Sequence, residues 1–273
     1  MFCDVELGAR IERVETELIA AGNSAAQERE GRGFAIPVES GIASYASAGS
    51  PLNKVAGLGF GNVPSEAEFE EIEKRYAEND ATVQVELSHL GNPAIGEMLT
   101  GRGYRLVSFE NVLGLALNEH SERSAADGVT VRGSDENEFD VWIDTVVDGF
   151  ARPDTQGVAS HEEFPRDVLA DAMRDLTAAA GVERFVAVRG DTVAGAASMR
   201  MSQGIAQLTG AATLPAHRRR GVQSALLSTR LQLAAAASCD IAVITTQPGS
   251  KSQQNAQRQG FDLLYTRAIL IKE

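Results

Sequence analysis

The sequence repeats itself. Gly103 and Gly260 stand 157 residues apart (260 − 103), and at that shift the two halves run side by side without a gap over about 60 positions. Leu99-Thr100-Gly101-Arg102-Gly103-Tyr104 falls on Ala256-Gln257-Arg258-Gln259-Gly260-Phe261, Leu113 falls on Leu270, and residues 65–78 fall on 222–235. Such self-similarity predicts two copies of one α/β fold, although any two α/β units share helix and strand spacing.

Hydrophobic periodicity places the elements. Val5, Leu7, Ile11, Val14, Leu18 and Ile19 lie on one face of a helix, which Ala21-Gly22-Asn23 is expected to stop, leaving 24–33 as a loop. Residues 34–38, 42–46 and 54–60 read as short strands between Gly- and Ser-rich turns. Ser65 is a good cap for a helix to about Glu78, with Glu66 and Glu68 in its first turn. A strand at 82–87, a helix at 93–100 and a long strand at 104–117 close the first half. Residues 118–128 offer almost nothing to a core and read as a linker.

The second half opens with a strand at 129–132 and a helix from Asp135 to about Asp148, then a helix at 162–180. Strands at 184–188, 193–201 and 206–213 look like an antiparallel meander. A helix from Val222 to about Ser238, a strand at 241–246, a short helix at 252–259 and a strand at 261–271 follow. Meander first and alternation after it predict a mixed sheet with helices on both faces.

Bulk chemistry narrows the function. The chain carries 38 acidic and 25 basic side chains, a net charge of −13. Residues 1–120 hold −10 of it (9 basic, 19 acidic), so the remainder holds −3. That balance argues against nucleic acid and against an anionic membrane surface, and suits cationic partners. No run of about 18 apolar residues and no signal-like start occurs, so no membrane span is expected. Cys3 and Cys239, without a CxxC pair or a Cys/His cluster at metal spacing, read as two reduced thiols of a cytoplasmic protein, and no metal is expected.

One turn stands out. After the strand at 206–213 comes Leu214-Pro215-Ala216-His217, then Arg218-Arg219-Arg220-Gly221-Val222-Gln223-Ser224, where a helix begins. Free N–H groups and the positive end of the helix dipole make such a start an anion site, and Gly221 lets the backbone approach closely. In the first half Pro64 and Gly61 stand at the positions of Gly221 and Arg218, so that copy lacks an amide and an arginine there.

This segment resembles motif A of the GNAT superfamily of N-acetyltransferases, [Gln/Arg]-x-x-Gly-x-[Gly/Ala]. Arg218 and Gly221 match, and Gln223 replaces the last small residue. The closing run Asn255-Ala256-Gln257-Arg258-Gln259-Gly260-Phe261 is similar to the family's final helix and strand. The resemblance spans 129–273. It implies two tandem GNAT-like domains of α/β (α+β) class, each a mixed, mostly antiparallel sheet flanked by helices. Residues 1–120 would be a degenerate copy without cofactor, 121–128 the linker and 129–273 the acetyltransferase.

It further implies acetyl-CoA as cofactor and a primary amine of a small molecule or peptide as acceptor, attacking directly in a ternary complex. Backbone groups of Ala212, Thr213 and Leu214 would meet the pantetheine. Arg218, Arg219, Arg220, Gly221, Val222, Gln223 and Ser224 would hold the pyrophosphate, and Ser252 and Asn255 would face the arm or the sulfur. The tyrosine that many members use as general acid falls at Ala256, which leaves Tyr265 as the nearest substitute by sequence. His217, Asp148, Glu162 and Glu163 are the remaining proton carriers near the expected groove. A non-catalytic acyl-CoA-binding or regulatory protein is the alternative.

Overall fold

The computed structural model describes residues 1–117, 128–152, 156–158, 161–179 and 181–273. Of the expected linker 121–128, only Gly128 falls among them.

The first helix, α1 (Val5–Glu30), is longer than its sequence suggests. The Asp4 carboxylate caps its start, accepting from the Leu7 N–H at 2.9 Å, and Gly31 ends it in the left-handed conformation. Gly22 and Asn23 lie inside it, because tertiary contacts outweigh their poor helix propensity. Asn23 is fully buried, and its Nδ2 donates to Phe34 O at 2.9 Å and Ser44 Oγ at 2.8 Å. Gly22 lets Leu176 pack directly onto the helix backbone.

The rest of the first half is β1 (Phe34–Val38), β2 (Gly41–Tyr45), β3 (Lys54–Ala56), α2 (Glu66–Ala77), β4 (Val83–Ser88), α3 (Pro93–Gly101) and β5 (Arg105–Ala116). The second half is β6 (Thr130–Gly133), α4 (Phe139–Phe150), α5 (Arg166–Ala178), β7 (Val182–Arg189), β8 (Thr192–Ser202) and β9 (Ile205–Thr213). It continues with α6 (Val222–Ala236), β10 (Ile241–Thr246), α7 (Lys251–Arg258) and β11 (Asp262–Lys272). Element order follows the sequence pattern. Expectation and structure part at 54–60, where only β3 is strand, and at α5, which starts after Pro165 rather than at 162.

The two halves do not keep separate sheets. All eleven strands form one, in the order β1-β2-β3-β4-β11-β5-β10-β9-β8-β7-β6. At the 157-residue shift β4 corresponds to β10 and β5 to β11. Yet β4 pairs with β11, and β10 pairs with β5, both antiparallel. Each half has therefore given its last strand to the other. The exchanged strands meet in the middle of the sheet, where Arg267 of β11 lies opposite Glu110 of β5. These two are repeat equivalents (267 − 157 = 110), so a local two-fold passes between them, and divergence has placed opposite charges where like would have met like.

Helices cover both faces. Phe69, Ile72, Tyr76, Ile95 and Leu99 of α2 and α3 pack under the first half, and Leu226 and Leu231 of α6 under the second. The opposite face carries α4, with Trp142 and Val146, and α1. At 26 residues α1 is about 39 Å long and crosses both halves. Its Ile19 meets Ile42 and Ala56 of the first half, while Ile11 and Val14 meet Ile205, Ile241 and Val243 of the second. No described helix is long and apolar enough to cross a membrane.

Candidate functional site

The site starts with a parallel pair that comes apart. β9 and β10 are hydrogen-bonded only from Ile205–Gln207 against Ile241–Val243. Beyond that point they diverge, and a cavity of about 250 Å³ opens between them. Leu208, Thr209, Gly210 and Ala211 form one wall, and Val243, Ile244 and Thr245 the other.

β9 also carries a bulge. Ala196 of β8 pairs with Ala212 and Ser198 with Thr209, so Gly210 and Ala211 together face one residue, Ala197. Gly210 takes φ +57° at the bulge, and Gly210 and Ala211 both line the cavity. Arg230 of α6 holds the bulge from behind. Its guanidinium is fully buried, donates to Ser198 O at 2.8 Å, Leu226 O at 3.1 Å and Thr209 O at 3.4 Å, and burial pulls its pKa down to about 10.

Past the bulge the chain makes a short 3₁₀ turn, Pro215–His217, and enters α6 through Gly221 at φ +78°. No side chain caps this helix. Its first intrahelical bond runs from Ala225 N–H to Gly221 O, so the amides of Val222, Gln223 and Ser224 have no intrahelical acceptor. Arg219 and Arg220 are exposed beside them. Arg218 is not available to an anion in the same way: its guanidinium donates to Thr213 O at 3.4 Å, Gly149 O at 3.5 Å and Arg152 O, tying the end of α4 to the end of β9.

The equivalent place in the first half is closed twice over. The start of α2 is a full capping box: Glu68 N–H donates to Ser65 Oγ at 3.3 Å, and the Glu68 carboxylate accepts from Ser65 N–H at 2.9 Å. The chain thus supplies its own anion there. The strands do not splay either. After β3 the chain runs on to Gly59, whose O accepts from Asn92 N–H at 2.9 Å, and a side chain at Gly59 would meet Gly91 Cα at 2.8 Å.

The expected residues distribute unevenly around the cavity. Ser252, at the start of α7, lines it. Asn255 does not reach it but donates to Gln223 Oε1, clamping α7 to the first turn of α6. Ala256 is a core methyl. Tyr265 is 1% exposed, packs in the core beneath α1, and spends its hydroxyl on Glu12 Oε1 at 2.6 Å. Burial and then the Glu12 charge hold its phenol well above the ordinary range, so the structure does not bring Tyr265 to the site as an acid. Asp148 is engaged by Arg166, and the His217 Nδ1 is buried without a partner among the described residues.

What sequence reasoning missed comes from far away. Ile11 and Glu15 of α1, in the other half, line the cavity, as does Arg267 of the exchanged strand β11. The available signal was that Glu12 and Glu15 border the apolar stripe of α1 rather than its wet face. Arg267 sits 2% exposed in a buried ionic network, 2.8 Å from Glu12 and 3.7 Å from both Glu86 and Glu110, with Lys54 also on Glu86. No group of His, Cys, Asp and Glu among the described residues could hold a metal ion.

A splayed strand pair, a bulge beside it and an uncapped helix start lie together in the second half, which is also the part of the chain that a family model matches. Residues 149–261 match the family model described as Acetyltransferase (GNAT) family. In fold the chain is similar to a GCN5-related N-acetyltransferase from Kribbella flavida, with a TM-score of 0.64 and 18% identity over 92% of this chain and 95% of that one. It is also similar to a tandem GNAT protein from the clavulanic acid biosynthesis pathway, with a TM-score of 0.61 and 12% identity over 86% and 79%. No curated protein matches the sequence. Residues 149–261 thus match the GNAT family model, and the chain as a whole has the fold of tandem GNAT proteins.

Proposed function

We propose that the chain transfers the acetyl group of acetyl-CoA to a primary amine of a small molecule or peptide, by direct attack in a ternary complex, at one site in the second half. The observation that carries this reading is the contrast between the halves: β9 and β10 splay onto an uncapped α6, whereas the first half is sealed by Gly59 against Gly91 and by its own Glu68. Residues 129–273 would then hold the cofactor, and 1–120 would hold none.

The fit of acetyl-CoA rests on two features of this chain. The open amides of Val222, Gln223 and Ser224, with Gly221 and the exposed Arg219 and Arg220, suit a pyrophosphate. The cavity between β9 and β10 suits a pantetheine arm, with Ser252 on its lining and Ala212, Thr213 and Leu214 following the lining residue Ala211 in the chain. When bound, acetyl-CoA supplies the acetyl group already activated as a thioester. The chain supplies position: the bulge at Gly210 lies on the cavity wall, and Arg230 braces it through Ser198 O and Thr209 O. Arg218 acts as a brace, and Asn255 as a clamp on Gln223.

Release of free thiol across a panel of amines tests the reading. Turnover with at least one amine class is expected. Tight acetyl-CoA binding with no turnover at all would favour a non-catalytic acyl-CoA-binding protein, for which the Ala256 methyl and the occupied Tyr265 hydroxyl would be the reason.

The anion site has its own test. Ser224 occupies the position in α6 that Glu68 takes in α2, and it is exposed. Ser224→Glu should weaken acetyl-CoA binding about tenfold or more in calorimetry, about 1.4 kcal/mol. It should leave the fold as stable or slightly more so, because a carboxylate suits a helix start. Unchanged affinity would place the pyrophosphate elsewhere.

A further inference from the structure

We infer that Glu15, a residue of the first half, binds the ammonium group of the acceptor and takes its proton, so that the acceptors of this enzyme are alkylamines that arrive as cations. This rests on the acetyl-transfer reading above and adds to it a substrate class and the missing base.

Among the described residues Glu15 is the only carboxylate that lines the cavity. It is half-buried, and α1 holds it over the side of the splay that faces away from α6 and α7. Its Oε2 accepts from Gln207 Nε2 at 3.0 Å, and Gln207 is the last residue of β9 still paired with β10. The carboxylate is thus fixed where the two strands separate, within the stretch that leads straight into the bulge. Its hydrogen-bond partner is a neutral amide, and no described cation lies within ion-pair distance of it.

The neighbouring cation is already neutralised. Arg267 lines the same cavity, but Glu12, Glu86 and Glu110 surround its guanidinium. Glu15 is therefore a carboxylate on the cavity wall beside a guanidinium whose ion pairs are made with Glu12, Glu86 and Glu110. A partly desolvated anion of this kind favours a ligand that brings the opposite charge. An alkylammonium does so, whereas an acidic acceptor would set like charge against Glu15.

The same contact does chemistry. One proton passes from the ammonium nitrogen to a Glu15 oxygen, which leaves a neutral amine with its lone pair free, and the proton leaves to solvent from the half-exposed carboxylate. The degenerate half is then not silent: it has lost its own cofactor site and supplies the acceptor wall of the other.

Steady-state kinetics on the full chain, wild type and Glu15→Gln, test this with a panel of alkylamines. Calorimetry with acetyl-CoA and thermal melting accompany each variant. The amide keeps the shape and can still bond Gln207, so the melting temperature and the acetyl-CoA affinity should hold within about twofold. kcat/KM for alkylamines should fall about 100-fold or more, and a quaternary alkylammonium, which has no proton to give, should inhibit the wild type but not Glu15→Gln. Parent-like kcat/KM in the variant overturns the role of Glu15 and leaves acetyl transfer standing. Joint loss of acetyl-CoA binding or of thermal stability overturns it as well, in favour of a structural role. A wild type that acetylates no amine overturns the acetyl-transfer reading, and this role with it.

Discussion

Replacing Arg267 with alanine should cost the folded chain about 3–5 kcal/mol, read as a lower denaturant midpoint at unchanged slope. The size follows from what would be left behind. Glu12 and Glu86, each 2% exposed, would remain buried with Lys54 as the one close cation among the described residues, and Glu110 would lose the group opposite it. Breaking a buried pair from one side costs far more than the pair contributes net, because the survivor cannot rehydrate.

The loss should depend on pH, and its sign is fixed. Burial, and then the charge of Glu86, pushes the Glu110 carboxyl up to about 7, and burial raises Glu12 as well. A carboxyl with a raised folded-state pKa contributes stability at acid pH, and that contribution is lost as pH rises through the folded value. Without Arg267 both groups are raised further. The deficit of Arg267→Ala should therefore be largest above pH 7 and shrink toward pH 5. A deficit that is flat across this range, or below about 1 kcal/mol, would show that water reaches the network.

The second large effect comes from cutting the chain in two. A fragment of residues 1–117 would keep β4 without β11 beside it, and β5 without either of its neighbours. A fragment of residues 130–273 would keep β10 without β5, and β11 with no strand on either side. Neither should melt cooperatively alone, and an equimolar mixture should recover one cooperative transition and the acetyl-CoA affinity of the whole chain. A sharp transition in either fragment by itself would mean that the exchanged strands can fold back onto their own half. The proposal that 1–120 and 129–273 are domains in the evolutionary sense survives either result, since it concerns the repeat.

How much of this was legible in the sequence depended on the range of the interactions. Elements set by local rules came through: the Ser65 capping box, the strand at 241–246, and α6 with its glycine entry are visible in a few consecutive residues. Asn23 shows where local rules fail, since two buried hydrogen bonds to residues of β1 and β2 hold it in a helix it would otherwise end. The uncapped start of α6 was legible because a helix start and its loop are contiguous. The contact that places Glu15 on the cavity was not, because Glu15 and Gln207 are 192 residues apart and nothing in either neighbourhood announces the other. The strand exchange was invisible for a sharper reason. β5 and β11 are repeat equivalents with similar alternation, so either would satisfy the neighbours of the other, and hydrophobic pattern cannot tell the swapped sheet from two unswapped ones.

The exchange also sets a timetable for synthesis. Ser88 of β4 pairs with Arg267, 179 residues later in the chain. At about 5–20 residues per second, β4 is made roughly 9 to 36 seconds before the strand that will cover its edge. During that interval the nascent first half presents an open ladder beside buried-type side chains such as Val83 and Val85, with β5 as a near-equivalent partner close at hand. The homologous strand that is correct in the finished sheet must therefore displace one that is available first, and the slowest step of folding in the cell should be that replacement rather than the assembly of either helix layer.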